Sequence, residues 1–113
     1  MASSLVQIVQ TQALPASPKL LYSSPAGTWT QIVKLTCVNV DLSSSHTVTI
    51  FIVPAGGAAG TSTQTTPGQS ILPKSTFNSP NEYAHVLNPG DALYAQADTS
   101  GVVNILAAGN QNT

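Results

Sequence analysis

The sequence predicts an all-β, single-domain antiparallel β-sandwich of about seven or eight short strands, with no substantial helix. Segments rich in Val, Ile, Thr and aromatic residues recur along the chain, and none shows the period of an amphipathic helix. Turn-forming residues separate these segments at intervals of about ten residues. The chain has 113 residues, enough for one core and too few for two. Immunoglobulin-like and jelly-roll topologies both fit this pattern.

The N-terminal part of the chain contains two predicted strands. Residues 5–11 are rich in β-branched side chains, and two prolines follow them closely. We expect residues 1–12 to form an N-terminal arm or an edge strand, able to pair with a neighbouring subunit as easily as with its own sheet. A short second strand is predicted over residues 19–23, before the turn sequence Ser-Pro-Ala-Gly.

The middle of the chain predicts a long antiparallel hairpin at the centre of the sheet. Residues 29–40 carry apolar side chains at both parities, so this strand is expected to be covered on both faces. Residues 41–46 form a polar connection to residues 47–53, the strongest strand signal in the chain. Pro54 ends that strand. Residues 55–68, rich in Gly, Ala, Ser and Thr, are expected to form a flexible loop.

The C-terminal part is divided into short segments by clear turn signals. The remaining predicted strands are residues 69–77, 82–87, 92–97 and 102–108. Pro73 interrupts the first of these and assigns it to a sheet edge. The sandwich domain is therefore expected to span residues 13–108, and residues 109–113 are expected to be a flexible polar tail.

The chain is unusual in how little charge it carries. Only 6% of its residues are charged, against about 25% in a typical soluble domain. It has no arginine, and its net charge is −1. Net charge near zero leaves little repulsion between copies and favours association. The scarcity of basic residues argues against nucleic acid and against anionic membranes as partners. No apolar run approaches the length of a membrane span.

The start of the chain lacks a basic segment followed by an apolar stretch, so no signal peptide is predicted. Cys37 stands alone, which excludes a disulfide within the monomer. Its position in an apolar strand pattern predicts a small buried side chain. Together these features indicate folding in a reducing cytoplasm.

Catalytic chemistry is not predicted. Asp41, Asp91 and Asp98 all fall in predicted turns, where an Asp side chain caps its own backbone. No Gly-x-Ser-x-Gly elbow or P-loop is present. The sequence therefore predicts a protein that is not an enzyme and needs no cofactor.

A metal site is not predicted either. Zinc would need three or four ligands, and Cys37, His46 and His85 are far apart in the sequence. His46 is expected to be exposed in a hairpin connection, and His85 is expected to be a half-buried strand residue.

Two groups of side chains are candidate partner contacts. The first is the apolar set of the N-terminal arm, and the second is the tyrosines, which suit protein pockets and sugar stacking. The candidates are Leu5, Val6, Ile8, Val9, Tyr22, Tyr83 and Tyr94. Trp29 is expected in the core. The loop at residues 55–68 could also become ordered against a partner.

Three short motifs carry a family resemblance. They are Leu-Tyr-Ser-Ser-Pro-Ala-Gly at residues 21–27, a Val-Thr strand ending at Pro over residues 47–54, and Pro-Gly-Asp-Ala-Leu at residues 89–93. In this order they resemble the small virion proteins of tailed bacteriophages, over residues 20–108. The resemblance implies a β-sandwich at the virion surface, homo-oligomers with trimers favoured over dimers, and no catalytic residues. The loop before Gly68 departs from the family pattern in length and composition.

The resemblance and the low charge together predict a capsid decoration or cement protein on the capsid surface. Such a protein would stabilise the phage head by oligomerising on the major capsid protein, with weak contacts strengthened by repetition. The alternative is a tail or fibre accessory module that binds a host-surface carbohydrate or receptor through exposed tyrosines and loop amides.

Overall fold

The chain folds into strands and connecting turns, as seen in a computed structural model that describes residues 3–113. The strands are β1 (Ser3–Ala13), β2 (Lys19–Ser23), β3 (Trp29–Asn39), β4 (His46–Val53), β5 (Gln64–Ile71), β6 (Thr76–Asn78), β7 (Val86–Leu87), β8 (Ala92–Ala97) and β9 (Val103–Asn112). A 3₁₀ turn at Thr61–Thr63 is the only helical segment among the described residues. The predicted all-β fold is confirmed, with nine strands. Residues 1 and 2 of the predicted arm lie outside the described part.

Two antiparallel sheets form a sandwich. One has the order β1-β9-β3-β6, with β7 also paired to β3, and the other has the order β2-β8-β4-β5. The first four strands pair in reverse order with the later ones: β4 pairs with β5, β3 with β6 and β7, β2 with β8, and β1 with β9. Two further pairs, β3 with β9 and β4 with β8, complete the two sheets. This is jelly-roll connectivity, one of the two topologies that fit the sequence pattern.

The core lies between the two sheets and follows the two-residue period of the strands. β9 shows this most clearly, because buried and half-buried residues alternate from Val103 to Asn110. Fully buried apolar side chains come from both sheets: Ile32, Leu35, Val48, Ile50, Leu93 and Ile105. Burying side chains of this size stabilises the fold by about 1.5–3 kcal/mol each. The buried side chains of β3 and β9 therefore identify the inner face of their sheet, and the opposite face is exposed to solvent.

The predicted central hairpin is wrong, because β3 and β4 lie in different sheets. The connection between them crosses from one sheet to the other. The buried Asn39 amide holds it there, since its Nδ2 donates to the carbonyls of Ser44 (3.0 Å) and Ile71 (2.9 Å). The apolar pattern correctly marked both strands as buried, but it carries no information about which distant strand each one pairs with.

The predicted loop, strand and tail boundaries also change. β5 begins at Gln64, so the expected loop at residues 55–68 is shorter. The expected strand at residues 69–77 is replaced by β5 and β6, and Pro73 falls in the turn between them. The strand expected at residues 82–87 is limited to Val86–Leu87.

The expected flexible tail at residues 109–113 is wrong, since β9 continues to Asn112 between β1 and β3. Gly109 explains why the strand fits there. A Cβ at this position would lie 3.0 Å from the Gln31 carbonyl oxygen and 3.1 Å from methyl groups of Ile8 and Thr30. The absence of a side chain lets the three strands approach closely.

Candidate self-association surface

β1 is an uncharged edge strand. It pairs with β9 on one side, and none of its eleven residues is charged. Its free edge therefore presents backbone N–H and C=O groups without a charge to repel another strand. The pairing with β9 is regular from Ser3 to Gln7, and register shifts follow between Gln7 and Val9 and between Val9 and Gln12. The regular part of this edge is therefore residues 3–7.

The other edges of the sandwich are protected. β2 has only five residues and begins with Lys19. β5 contains Pro67 and Gly68, and its pairing with β4 is irregular at that point. β6 and β7 have three and two residues. Short length, proline, irregular pairing and lysine are the features that keep sheet edges from pairing with other chains, so β1 is the long edge that lacks most of them.

A groove runs along the outward face of the same sheet, next to β1. Its volume is about 380 Å³. Its lining residues are Leu5, Val6, Gln7, Lys34, Thr36, Leu106, Ala107 and Ala108. The groove forms because Ala108 of β9 pairs with Gln7 of β1 on one side and Lys34 of β3 on the other, so a short side chain lies between two long ones. The lining is mainly apolar, so the open edge of β1 continues into an apolar surface.

The residues predicted as contacts in the N-terminal arm divide into two pairs. Leu5 is 74% exposed, and Val6 is half-buried. Ile8 and Val9 are buried in the core, at 8% and 1% exposure. The register shift between Gln7 and Val9 is the reason, because it turns two consecutive side chains inward. The prediction that Ile8 and Val9 contact a partner is wrong for the folded chain, and Leu5 and Val6 stay candidates.

The predicted tyrosine contacts also differ from one another. Tyr22 is half-buried: its hydroxyl lies 2.8 Å from Thr30 Oγ1 and accepts a hydrogen bond from Gln111 Nε2 at 2.7 Å. Tyr94 is half-buried and packs against the small cluster around Phe51. Tyr83 is 65% exposed. Tyr83 is therefore the tyrosine whose ring is free to meet a partner.

Trp29 was expected in the core, and this prediction is wrong. Its side chain is 44% exposed. Trp29 is the first residue of β3 and pairs with Asn112, the last residue of β9. The next residue, Thr30, is fully buried, so the alternation of the strand turns the Trp29 ring to the outward face.

Sequence reasoning missed a buried polar network around Glu82. Glu82 is 0% exposed, and its carboxylate accepts hydrogen bonds from the hydroxyls of Thr65, Thr66 (2.8 Å) and Ser79. Three hydroxyl donors around one carboxylate satisfy a buried group that would otherwise be costly. One signal was present in the sequence, since Glu82 is the only acid that does not fall in a predicted turn.

This network fastens the loop at residues 79–85 between the sheets. The Ser79 N–H donates to the Leu35 carbonyl of β3, and the Ala84 N–H donates to the Ile32 carbonyl of the same strand. Ala84 has a φ of 65°, a left-handed conformation that costs a non-glycine residue about 1–2 kcal/mol. The loop keeps this strained conformation because its other contacts hold it, and it presents Tyr83 outward.

His46 lies between two carboxylates at one end of the sandwich. Its Nε2 is 2.8 Å from Asp41 Oδ2, and its Nδ1 is 2.9 Å from Asp98 Oδ1. The expectation of an exposed His46 is wrong, because its side chain is 11% exposed. The hydrogen bond with Asp41, supported by Asp98, raises the pKa of His46 above its ordinary value against the opposing effect of burial. Both ring nitrogens face acceptors, which favours the imidazolium form.

Two of the three predicted turn aspartates, Asp41 and Asp91, cap backbone N–H groups, and the prediction is wrong for Asp98. Asp41 Oδ1 accepts from the N–H groups of Ser43 and Ser44, and the pKa of Asp41 is lowered to about 2, first by the His46 hydrogen bond and then by these N–H groups. Asp91 accepts from two backbone N–H groups across the β7–β8 turn and the β4–β5 connection. Asp98 instead pairs with His46.

The sequence also predicted the environments of Cys37 and His85. Cys37 is 0% exposed, as predicted. Burial first, and the nearby Glu82 carboxylate second, raise the pKa of the Cys37 thiol to about 12. His85 is exposed and precedes β7, so the prediction of a half-buried strand residue is wrong.

No group of three or more His, Cys, Asp or Glu side chains close enough to hold a metal ion occurs within residues 3–113. Over the same described range, none of the helical structure is long and apolar enough to cross a membrane.

Comparisons with known proteins identify the fold and no family. No protein-family model and no curated protein matches the chain. Among solved structures, the chain is similar to a protein described under the words "Bacillus endospore appendages form a novel family of disulfide-linked pili". The TM-score is 0.56 and the identity 12%, and the match covers 98% of this chain and 88% of that one. At this identity, the similarity extends to the β-sandwich fold alone.

Proposed function

We propose that this chain is a structural, non-enzymatic subunit that acts by self-association. The observation that carries the proposal is the regular edge of β1, residues 3–7, which is uncharged and ends the sheet beside an apolar groove. A long edge without charge or proline is a template for pairing with another strand.

The placement of the few charges supports this proposal. Glu82 is buried in its network, and Asp41 and Asp98 are paired with His46. Asp91 holds two backbone N–H groups. The acids are therefore engaged in holding loops, and the outer surface carries little free negative charge. Such a surface creates little long-range repulsion between copies.

The structural neighbour gives further support. That protein is described with the words "disulfide-linked pili", and a pilus is a structural assembly. The disulfide part does not transfer. Cys37 is the only cysteine of this chain and is fully buried, so a covalent link between copies is not expected through it.

A finer proposal comes from the sequence resemblance to small phage virion proteins. Under it, the assembly is a phage head, the partners are other copies and the major capsid protein, and the chain acts as a decoration protein. The test is the number of copies per purified particle, measured by quantitative mass spectrometry. A number near that of the capsid subunits supports the decoration role, a few copies favour the tail, and absence from particles contradicts both.

Self-association itself is tested by sedimentation velocity over a wide range of protein concentration, with electron microscopy of the most concentrated samples. Reversible oligomers or filaments are expected. A chain that stays monomeric throughout, alone and with candidate particles, would contradict the proposal.

A second candidate function has its own observation. Trp29 and Tyr83 expose 44% and 65% of their surface, and exposed aromatic rings stack on sugars. A carbohydrate-binding accessory module would use them. A glycan array separates the two candidates, because specific glycan binding lost in both Trp29→Ala and Tyr83→Ala supports the module and no binding excludes it.

A further inference from the structure

We propose that two copies pair β1 to β1, antiparallel, about a two-fold axis that passes at Leu5. The inference rests on the proposed self-association and names its partner surface as a second copy of the same edge.

The position of the axis follows from the register of β1. The regular part of the edge has five residues, from Ser3 to Gln7, before the first register shift. Leu5 is at its centre. An antiparallel pair centred there places Leu5 opposite Leu5 of the second copy, Ser4 opposite Val6, and Ser3 opposite Gln7. Residues directly opposite in an antiparallel pair point to the same face of the sheet. The two sheets then join into one, with both outward faces on the same side.

The chemistry of the edge suits a copy of itself. No charged side chain lies on either strand, so a two-fold pairing brings no like charges together. The first charge on this face is Lys34, two strands away from the edge across Ala108. Leu5 is 74% exposed in the single chain. Pairing covers it with another leucine, and a closed two-fold contact uses the same patch on both copies.

The same geometry limits the strength of the contact. Five paired residues span about 17 Å of strand, and a strand addition of this length is smaller than the roughly 1,200–2,000 Å² interface of a stable complex. The pair is therefore weak by itself. It gains strength where many copies are held together, as in a repeated assembly. The two grooves flank the seam on one face, which leaves that face accessible to the rest of the assembly.

The first test is cysteine cross-linking of Leu5→Cys. Cys37 is buried and its thiol has a pKa raised to about 12, so it stays unreactive under mild oxidation and need not be replaced. Directly opposite Cβ atoms in an antiparallel pair lie about 4.5–5.5 Å apart, close to the separation in a disulfide. Leu42→Cys is the matched control, because Leu42 is also 74% exposed and lies in the β3–β4 connection. Leu5→Cys is expected to give a disulfide-linked dimer, and Leu42→Cys is not.

The second test fixes the register. Ser3→Lys with Gln7→Glu places opposite charges across the seam, whereas Ser3→Glu with Gln7→Glu places like charges there. The first variant is expected to keep the dimer and make it salt-sensitive, and the second to weaken it several-fold at low salt. Within one chain the two positions are four strand residues apart, about 13 Å, so their direct interaction is small. Circular dichroism checks that both variants fold.

The outcomes separate this inference from the proposed function. Wild-type chain that self-associates while Leu5→Cys cross-links no better than Leu42→Cys overturns the β1 pairing and leaves self-association standing. Trimers that form without cross-linking at Leu5→Cys overturn it as well. So does equal dimer strength in the two charge variants, or pairing of β1 with a strand of another protein. Wild-type chain that is monomeric at every concentration, both alone and with candidate particles, overturns both.

Discussion

β1 and β5 are edge strands of the two sheets, and they differ in how well their free edges are protected from pairing with another strand. β5 is interrupted by Pro67 and Gly68, and its hydroxyls at Thr65 and Thr66 are bound to Glu82 under the loop at residues 79–85. β1 has no charge, no proline and no covering loop over residues 3–7. One edge is therefore closed by local sequence and tertiary contacts together, while residues 3–7 of the other edge stay open.

The largest expected effect is on the closed side, from Glu82→Ala. The substitution leaves the hydroxyls of Thr65, Thr66 and Ser79 without the acceptor that they share, and it leaves a cavity beneath the loop. We expect a loss of about 2–4 kcal/mol in the free energy of unfolding. Chemical denaturation measures it. Glu82→Gln is the matched control, and it should lose less because the amide oxygen still accepts. Equal stability of Glu82→Ala and the wild type would show that the network does not hold the loop.

On the open side, Leu5→Lys should affect association and not stability. The side chain is 74% exposed, so the change in the free energy of unfolding should stay within about 0.5 kcal/mol. A lysine on the edge discourages strand pairing, and on a two-fold axis it faces its own copy. Sedimentation is expected to show a weaker oligomer for Leu5→Lys than for Leu42→Lys. If both variants weaken association equally, the effect comes from net charge and the contrast between the edges fails.

A third prediction uses pH to separate the charged end of the sandwich from the uncharged edge. The folded pKa of His46 is raised, so its contribution to stability is complete below about pH 6.5, the ordinary value, and is lost as pH rises through the folded pKa. The folded pKa of Asp41 is lowered to about 2, so its contribution is present above about pH 4 and is lost as pH falls toward 2. Stability should therefore be highest between these limits.

Thermal unfolding measured across this pH range checks the prediction. His46→Asn should lose the decline on the alkaline side, and His85→Asn, at an exposed position without these carboxylates, should keep it. Association through β1 should not follow the same pH dependence, because residues 3–7 contain no titratable side chain. If association followed the same pH dependence as stability, the charged end around His46 and the β1 edge would be coupled, which would contradict the prediction.

The sequence was sufficient for the fold class and for most strand positions, because the apolar alternation is local. It placed Cys37 in the core, and it placed Asp41 and Asp91 on backbone N–H groups of their own turns, because these features are also local. The same prediction is wrong for Asp98, whose partner His46 is distant in the sequence. It failed where distant residues decide. β3 and β4 look like a hairpin, yet each pairs with a strand from the last quarter of the chain. Gly109 reads as part of a loose tail, yet it is the small residue that three strands require.

The candidate surface shows the same limit. The apolar character of the arm was visible, but the register shift that turns Ile8 and Val9 inward depends on β9 and leaves no mark in residues 5–11. From the sequence, Glu82 could be recognised only as the one acid outside a predicted turn. Its partners Thr65 and Thr66 are too distant in the sequence to be predicted. The edge status of β1 depends on the whole sheet order, so it could be predicted only as one of two possibilities.

The smallest expected effect comes from opening the closed edge. Pro67→Thr restores a backbone N–H to β5 and removes the residue that most directly prevents strand pairing there. Self-association should rise slightly, since Gly68, with a φ of 61°, and the irregular register still protect the edge. Pro73→Thr, in the turn after β5, is the control that removes a proline without changing an edge. Sedimentation of both variants decides the point. A rise with Pro67→Thr alone shows that proline helps to keep β5 closed, whereas no rise assigns that protection to the irregular register and the Glu82 loop.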